Sequence, residues 1–84
     1  MSDNIVVWSK DGCGFCEATK KLLTDRDLPF EERNTDREEF TVQEFKEATN
    51  GQSYPQVVVG DVVVGGFHEL LIKIAHDDRA SWTK

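Results

Sequence analysis

Two valine runs, Val57-Val58-Val59 and Val62-Val63-Val64, are separated by nothing but Gly60-Asp61. Branched side chains suit extended backbone, and a glycine-containing pair between two such runs makes the tight primed turns that join antiparallel strands. Residues 56–60 and 62–65 are therefore expected to pair as a hairpin. With 84 residues there is room for one small domain only, and it must be compact, because so short a chain buries roughly 60–65% of the surface it exposes unfolded.

The rest of the chain supplies the partners that this hairpin needs. Ile5-Val6-Val7-Trp8 is a continuous apolar run, which suits a strand buried on both faces. Residues 14–27 read as a helix with Phe15, Ala18, Leu22 and Leu23 on its inner side and Glu17, Lys20, Lys21 and Asp25 outside. Leu28-Pro29 stops it, since a residue before proline leaves helical dihedrals. Residues 30–34 predict a second strand. Thr35 or Asp36 is the expected cap of the next helix, with Glu38 and Glu39 in its first turn and Phe40 or Val42, Phe45 and Ala48 on its buried side. Asn50-Gly51 marks its end, and after Gly65-Gly66 the residues Leu70, Leu71, Ile74 and Ala75 give a last helix one apolar face.

The order β-α-β-α-β-β-α predicts an α/β domain over residues 1–84, with a four-stranded mixed sheet and three helices covering both faces. The first two strands are parallel, joined by a right-handed crossover, and the hairpin completes the sheet. The loop between the first strand and first helix then lies at the carboxyl end of a parallel strand, where open α/β sheets place their chemistry.

Charge narrows the partners. Ten Lys and Arg against sixteen Asp and Glu leave a net charge of −6, which repels nucleic-acid phosphates and anionic membrane surfaces. The valine runs fall far short of the roughly 20 residues that cross a bilayer. Met1-Ser2-Asp3-Asn4 lacks the basic start of a secretory signal, so a cytoplasmic monomer is expected. The acidic stretch over residues 31–47 reads as a solvated face, and Trp82 as a tail residue.

Cys13 and Cys16 are the two cysteines, spaced C-x-x-C at that strand-to-helix junction. Cys13 meets the free amides and positive dipole end of the helix, and Lys10 adds a cation nearby. A thiol pKa brought from about 8.5 to about 6 would raise the thiolate fraction at neutral pH from roughly 3% to roughly 90%. Cys16, one turn further in, is suited to resolve a mixed disulfide by attacking the Cys13 sulfur. Other roles are weaker. A structural disulfide closing so short a loop constrains the unfolded chain by only about 2 kcal/mol. A zinc site would have to draw on His68 and His76, whose spacing matches no finger pattern, and no metal is expected.

Three separated motifs carry a family resemblance: Ser-Lys-Asp-Gly-Cys-Gly-Phe-Cys over residues 9–16, Ser53-Tyr54-Pro55-Gln56-Val57, and Gly65-Gly66-Phe67. Together, and in this order, they resemble a dithiol glutaredoxin of the thioredoxin-fold superfamily along nearly the whole chain. The resemblance implies a thioredoxin-like fold and a cis Tyr54-Pro55 bond. It also implies a glutathione-dependent thiol-disulfide oxidoreductase, with Cys13 attacking and Cys16 resolving, glutathione as co-substrate, and no tightly bound cofactor. Its substrates would be protein disulfides, those of ribonucleotide reductase among them, and glutathione mixed disulfides. The implied glutathione groove is lined by Phe15, Gln52, Ser53, Tyr54, Pro55 and Gly66. Lys10 would meet the glycine end of the tripeptide, the amides of Phe67 and His68 its γ-glutamyl carboxylate, and Glu69 its ammonium.

The sequence departs from the family pattern in places. His68-Glu69 stands where aspartates or a serine are common, Gln52 where a base is common, and Gly14 where dithiol members often carry proline. Two further functions stay open. Cys-Gly-Phe resembles the opening of the monothiol Cys-Gly-Phe-Ser site, which implies a dimer holding a [2Fe–2S] cluster with glutathione. A glutaredoxin-like protein fed by thioredoxin reductase, donating to ribonucleotide reductase, is the other; Lys10 and the double glycine argue against it.

Overall fold

The computed structural model describes residues 4–37, 40–49, 51 and 53–76. Seven elements follow one another: β1 (Ile5–Ser9), α1 (Gly14–Asp25), β2 (Glu31–Asn34), α2 (Val42–Ala48), β3 (Gln56–Val59), β4 (Val62–Gly65) and α3 (Phe67–His76). The strands make one sheet in the order β2-β1-β3-β4. β1 runs parallel to β2 and antiparallel to β3, and β3 pairs antiparallel with β4. This is the expected mixed α/β architecture. Gly60 turns the hairpin at φ 60°, the positive value that a primed turn demands of its first central residue.

Alternation along the strands sorts the two faces. Ile5 and Val7 of β1 and Val57 and Val59 of β3 join Leu23 of α1, Leu28, and Leu70 and Ile74 of α3 in one buried cluster. Trp8, one residue out of phase with Val7, is buried on the other face, where its ring meets Phe40 and Phe45 with centroids 5.9 Å away. α1 and α3 thus share one face, and α2 covers the other. The β3–β4 register jumps from Val58↔Val63 to Val57↔Gly65. The extra residue of that bulge is Val64, which packs against the core cluster.

Several expected boundaries and faces are corrected. α1 stops at Asp25 rather than at residue 27. Asp27 adopts the left-handed conformation, φ 58°, and the Leu28 amide returns to the Leu23 carbonyl at 2.9 Å, so a Schellman-type closure ends the helix before Pro29 acts. α2 is capped by Thr41, not by Thr35 or Asp36. Thr41 Oγ1 accepts from the Glu44 amide at 3.1 Å while Glu44 Oε1 accepts from the Thr41 amide at 2.8 Å, a complete capping box. Phe15, Ala48, Leu71 and Ala75, expected on buried sides, are exposed, and of the alternatives Phe40 and Val42 it is Phe40 that is half-buried while Val42 is exposed. Thr19 takes the inner place on α1 together with Cys16 and Leu23. Glu38, Glu39, Asn50, Gln52, Trp82 and the His76 side chain lie outside the described residues.

Candidate active site

The loop after β1 is shaped by the turn that follows β2. The Asp11 amide donates to Asp36 Oδ2 at 2.9 Å, Asn34 Nδ2 donates to Asp11 Oδ1 at 3.0 Å, and the Thr35 amide donates to the Ser9 carbonyl at 3.0 Å. Asn34 Oδ1 also accepts from the Asp36 amide at 2.8 Å, an Asx turn that holds the second carboxylate in place. These contacts fix the chain entering α1, and Cys13 is its N-cap, with φ −107° and ψ 108°.

Cys13 and Cys16 form a disulfide, with Cα atoms 5.2 Å apart. The Cys16 amide donates to Cys13 Sγ at 3.1 Å. Cys13 is half-buried, whereas Cys16 is 0% exposed. An incoming sulfur therefore reaches Cys13, and only Cys13, from solvent. In the reduced chain the amide and the helix dipole that face Cys13 Sγ favour its thiolate. Among the described residues no group of three or more His, Cys, Asp or Glu is placed to hold a metal ion.

The other expected site residues fall into three groups. Phe15 is 56% exposed and lies against α3, its ring 5.8 Å from Phe67 and 5.7 Å from His68; these three rings form an aromatic shelf beside the cysteine turn. Lys10 and Tyr54 make the second group, with Lys10 Nζ 5.5 Å from the Tyr54 ring centroid. The Tyr54-Pro55 bond is cis, as the family resemblance implies, and Ser53 accepts from Gln56 Nε2 at 3.1 Å through its carbonyl. The third group is Gly66 with Glu69: the Gly66 amide donates to Glu69 Oε1 at 2.9 Å. Glu69, expected to meet an incoming ammonium, is exposed and uses Oε1 for this bond. Gln52 is outside the described residues.

Sequence reasoning missed the support beneath Tyr54. Its ring stacks on Phe45 with centroids 4.2 Å apart and an interplanar angle of 11°, and its hydroxyl lies 2.8 Å from Thr35 Oγ1. Phe45 in turn packs on Trp8, and Arg33 sits over the rings of Trp8 and Phe40 at 5.4 and 5.5 Å. The abundance of aromatics was visible in the sequence, but their stacking order arises from three elements meeting in space.

The chain is 54% identical over 33 residues to the N-acetyl-S-hydroxy-L-cysteine reductase of Bacillus subtilis, spanning 37% of this chain and 36% of that protein. It is 31% identical over 70 residues to the hybrid peroxiredoxin hyPrx5 of Haemophilus influenzae, of whose length it covers 29%. Coverage is fuller for the glutaredoxin-like protein NrdH of Escherichia coli, 33% identical over 75 residues, 86% of this chain and 88% of that one. Among solved structures, the buckwheat glutaredoxin–glutathione complex superposes with a TM-score of 0.74 at 26% identity, covering 92% of this chain and 71% of that one. The NrdH-redoxin of Escherichia coli gives 0.68 at 28%, covering 83% and 91%. The glutaredoxin family model matches residues 5–64, which hold both cysteines and the cis proline. With the fold, the half-buried Cys13 and that match in agreement, the chain belongs to the glutaredoxin family and is a thiol oxidoreductase of it.

Proposed function

We propose that the chain reduces disulfides of partner proteins by dithiol exchange and draws its electrons from a protein reductase of the thioredoxin-reductase kind. The observation that carries the exchange chemistry is the unequal burial of the two sulfurs, Cys13 half-exposed at the helix cap and Cys16 fully buried behind it. Cys13 thiolate attacks one sulfur of the target disulfide, forming a mixed disulfide and releasing the other target sulfur, which takes up a proton. Cys16 thiolate then attacks Cys13 Sγ; the mixed bond breaks, the second target thiol leaves, and the Cys13–Cys16 disulfide is the oxidised product. Two electrons and two protons from the donor restore the dithiol.

The donor is chosen on likeness: a relative covered over 88% of its length is a NrdH, and the solved NrdH-redoxin is described as having a thioredoxin-like activity profile. Ribonucleotide reductase is the corresponding candidate target. Glutathione is the second reading, supported by the exposed Lys10 next to Tyr54 and by the likeness to a glutaredoxin–glutathione complex. Insulin-disulfide reduction measured with thioredoxin reductase and NADPH, against glutathione with its reductase, tests the choice. The first system should turn over at least about tenfold faster, and Cys13→Ser should abolish activity in both. Cys16→Ser should stop protein-disulfide reduction while still forming a mixed disulfide. Wild-type activity in Cys13→Ser would remove the assignment.

A further inference from the structure

The hydroxyl of Thr19 is sealed in the protein with nothing to bond. Thr19 is 0% exposed on the inner side of α1, and among the described residues its Oγ1 is the one buried side-chain oxygen or nitrogen without a hydrogen-bond partner. A helical threonine ordinarily turns this group to a carbonyl of the preceding turn, and Thr19 does not. Buried polar groups so rarely go unpaired that an orphan calls for an explanation. One turn back on the same buried side is Cys16, also 0% exposed. Residues three apart on a helix are neighbours, and the Cα–Cβ bonds tilt towards the N-terminus, so the Thr19 side chain leans over the turn that carries Cys16.

The orphan belongs to the oxidised chain, in which Cys16 Sγ is bonded to Cys13 Sγ. A disulfide sulfur has no hydrogen to give and accepts one poorly. Reduction turns it into a thiol, a weak donor and acceptor, or into a thiolate, a strong acceptor that water does not reach. Cys13 Sγ already has a donor in the Cys16 amide, at 3.1 Å; the free hydroxyl suits the other sulfur. We propose that Thr19 is a positioning residue of the exchange reaction: in the reduced chain and in the mixed disulfide its hydroxyl donates to Cys16 Sγ, favouring the resolving thiolate and weighting the redox balance towards the dithiol. In the resolving step Cys16 sheds its proton and attacks Cys13 Sγ, the Cys13–Cys16 bond forms as the bond from Cys13 to the target breaks, and the departing target thiolate takes up a proton. Thr19 keeps its own proton throughout and loses its acceptor when the disulfide closes. The inference rests on the dithiol reading above.

The test is a redox titration of the full chain in glutathione buffers of set ratio, with dithiol and disulfide counted by mass after alkylation in denaturant. Thr19→Val keeps the branched shape and removes the hydroxyl; its disulfide should be favoured about fivefold over wild type, a potential about 20 mV more negative. Thr19→Ser restores the hydroxyl and should return the balance to within about twofold of wild type. In a Cys13→Ser background, the ultraviolet thiolate absorbance of Cys16 should titrate at higher pH with Thr19→Val and be restored with Thr19→Ser. Far-UV circular dichroism verifies the helix in each variant. A packing role alone moves neither the balance nor the titration, so an unchanged balance in Thr19→Val overturns the inference, as does a shift that Thr19→Ser shares in full. Protein-disulfide reduction at the wild-type rate by Cys16→Ser would instead defeat the proposed function, and the balance, which needs no partner protein, would still decide Thr19.

Discussion

Thr19 is the residue whose place carries an energetic anomaly. It is 0% exposed, on the inner face of α1 between Cys16 and Leu23, and its hydroxyl has no hydrogen-bond partner. A buried hydroxyl without a partner forfeits its hydration for nothing, at a cost of about 1–3 kcal/mol. Thr19→Val keeps the branched shape, and the urea midpoint of the oxidised chain should rise by an amount worth about 1 kcal/mol. A midpoint at or below wild type would show that the hydroxyl is satisfied after all. At this scale the cysteines were legible in the sequence, since spacing and local helix chemistry suffice to mark them. Thr19 was not, because the apolar pattern had given the inner face to Phe15.

Elements explain why the boundaries moved. Sequence punctuation placed the end of α1 at Leu28-Pro29, but the helix closes on itself first, through Asp27 at φ 58° and the Leu28 amide. A non-glycine residue in that region is strained, and an acid at a helix C-terminus also opposes the dipole. Asp27→Gly should therefore raise stability by up to about 1 kcal/mol in thermal or urea unfolding; a loss would mean that Asp27 makes a compensating contact. For α2, Thr35 and Asp36 looked like caps because they are small and polar. They serve the cysteine loop instead, and the true cap, Thr41, has the glutamate three residues on that completes the box. The strands were easier to read, since valine runs and a glycine turn act through neighbours in sequence, whereas a cap competes with every other use of the same side chain.

At the scale of the molecule, one ionic junction ties three elements together. Glu32 of β2 accepts from Ser9 Oγ of β1 at 2.7 Å and from Lys20 Nζ of α1 at 2.9 Å. The Ser9 hydroxyl, then Lys20, hold the Glu32 carboxyl below its ordinary range against the opposing effect of burial, and Glu32 in return raises Lys20. A depressed carboxyl stabilises the fold fully above the ordinary glutamate value and loses that contribution as pH falls through the folded one. A raised ammonium contributes below the ordinary lysine value and loses it as pH rises through the raised one. Glu32→Gln should thus flatten the acid limb of stability against pH below about 5 and cost less than about 1 kcal/mol near neutrality, both partners being partly exposed. An acid limb identical to wild type in urea midpoints would remove Glu32 from the linkage. The overall architecture was legible because its order of elements allows few right-handed arrangements, while this junction, spanning Ser9, Lys20 and Glu32, exists only once the strands are registered.

The sheet order also leaves two unlike margins. β2 lines one with Glu31, Glu32 and Arg33, charges that deter a neighbour from docking. β4 lines the other with valines, Val62 being 61% exposed, and relies on its four-residue length and its bulge for protection. A border that short and kinked, opposite one lined with charge, offers an added strand little to pair with, which limits growth by edge-to-edge stacking.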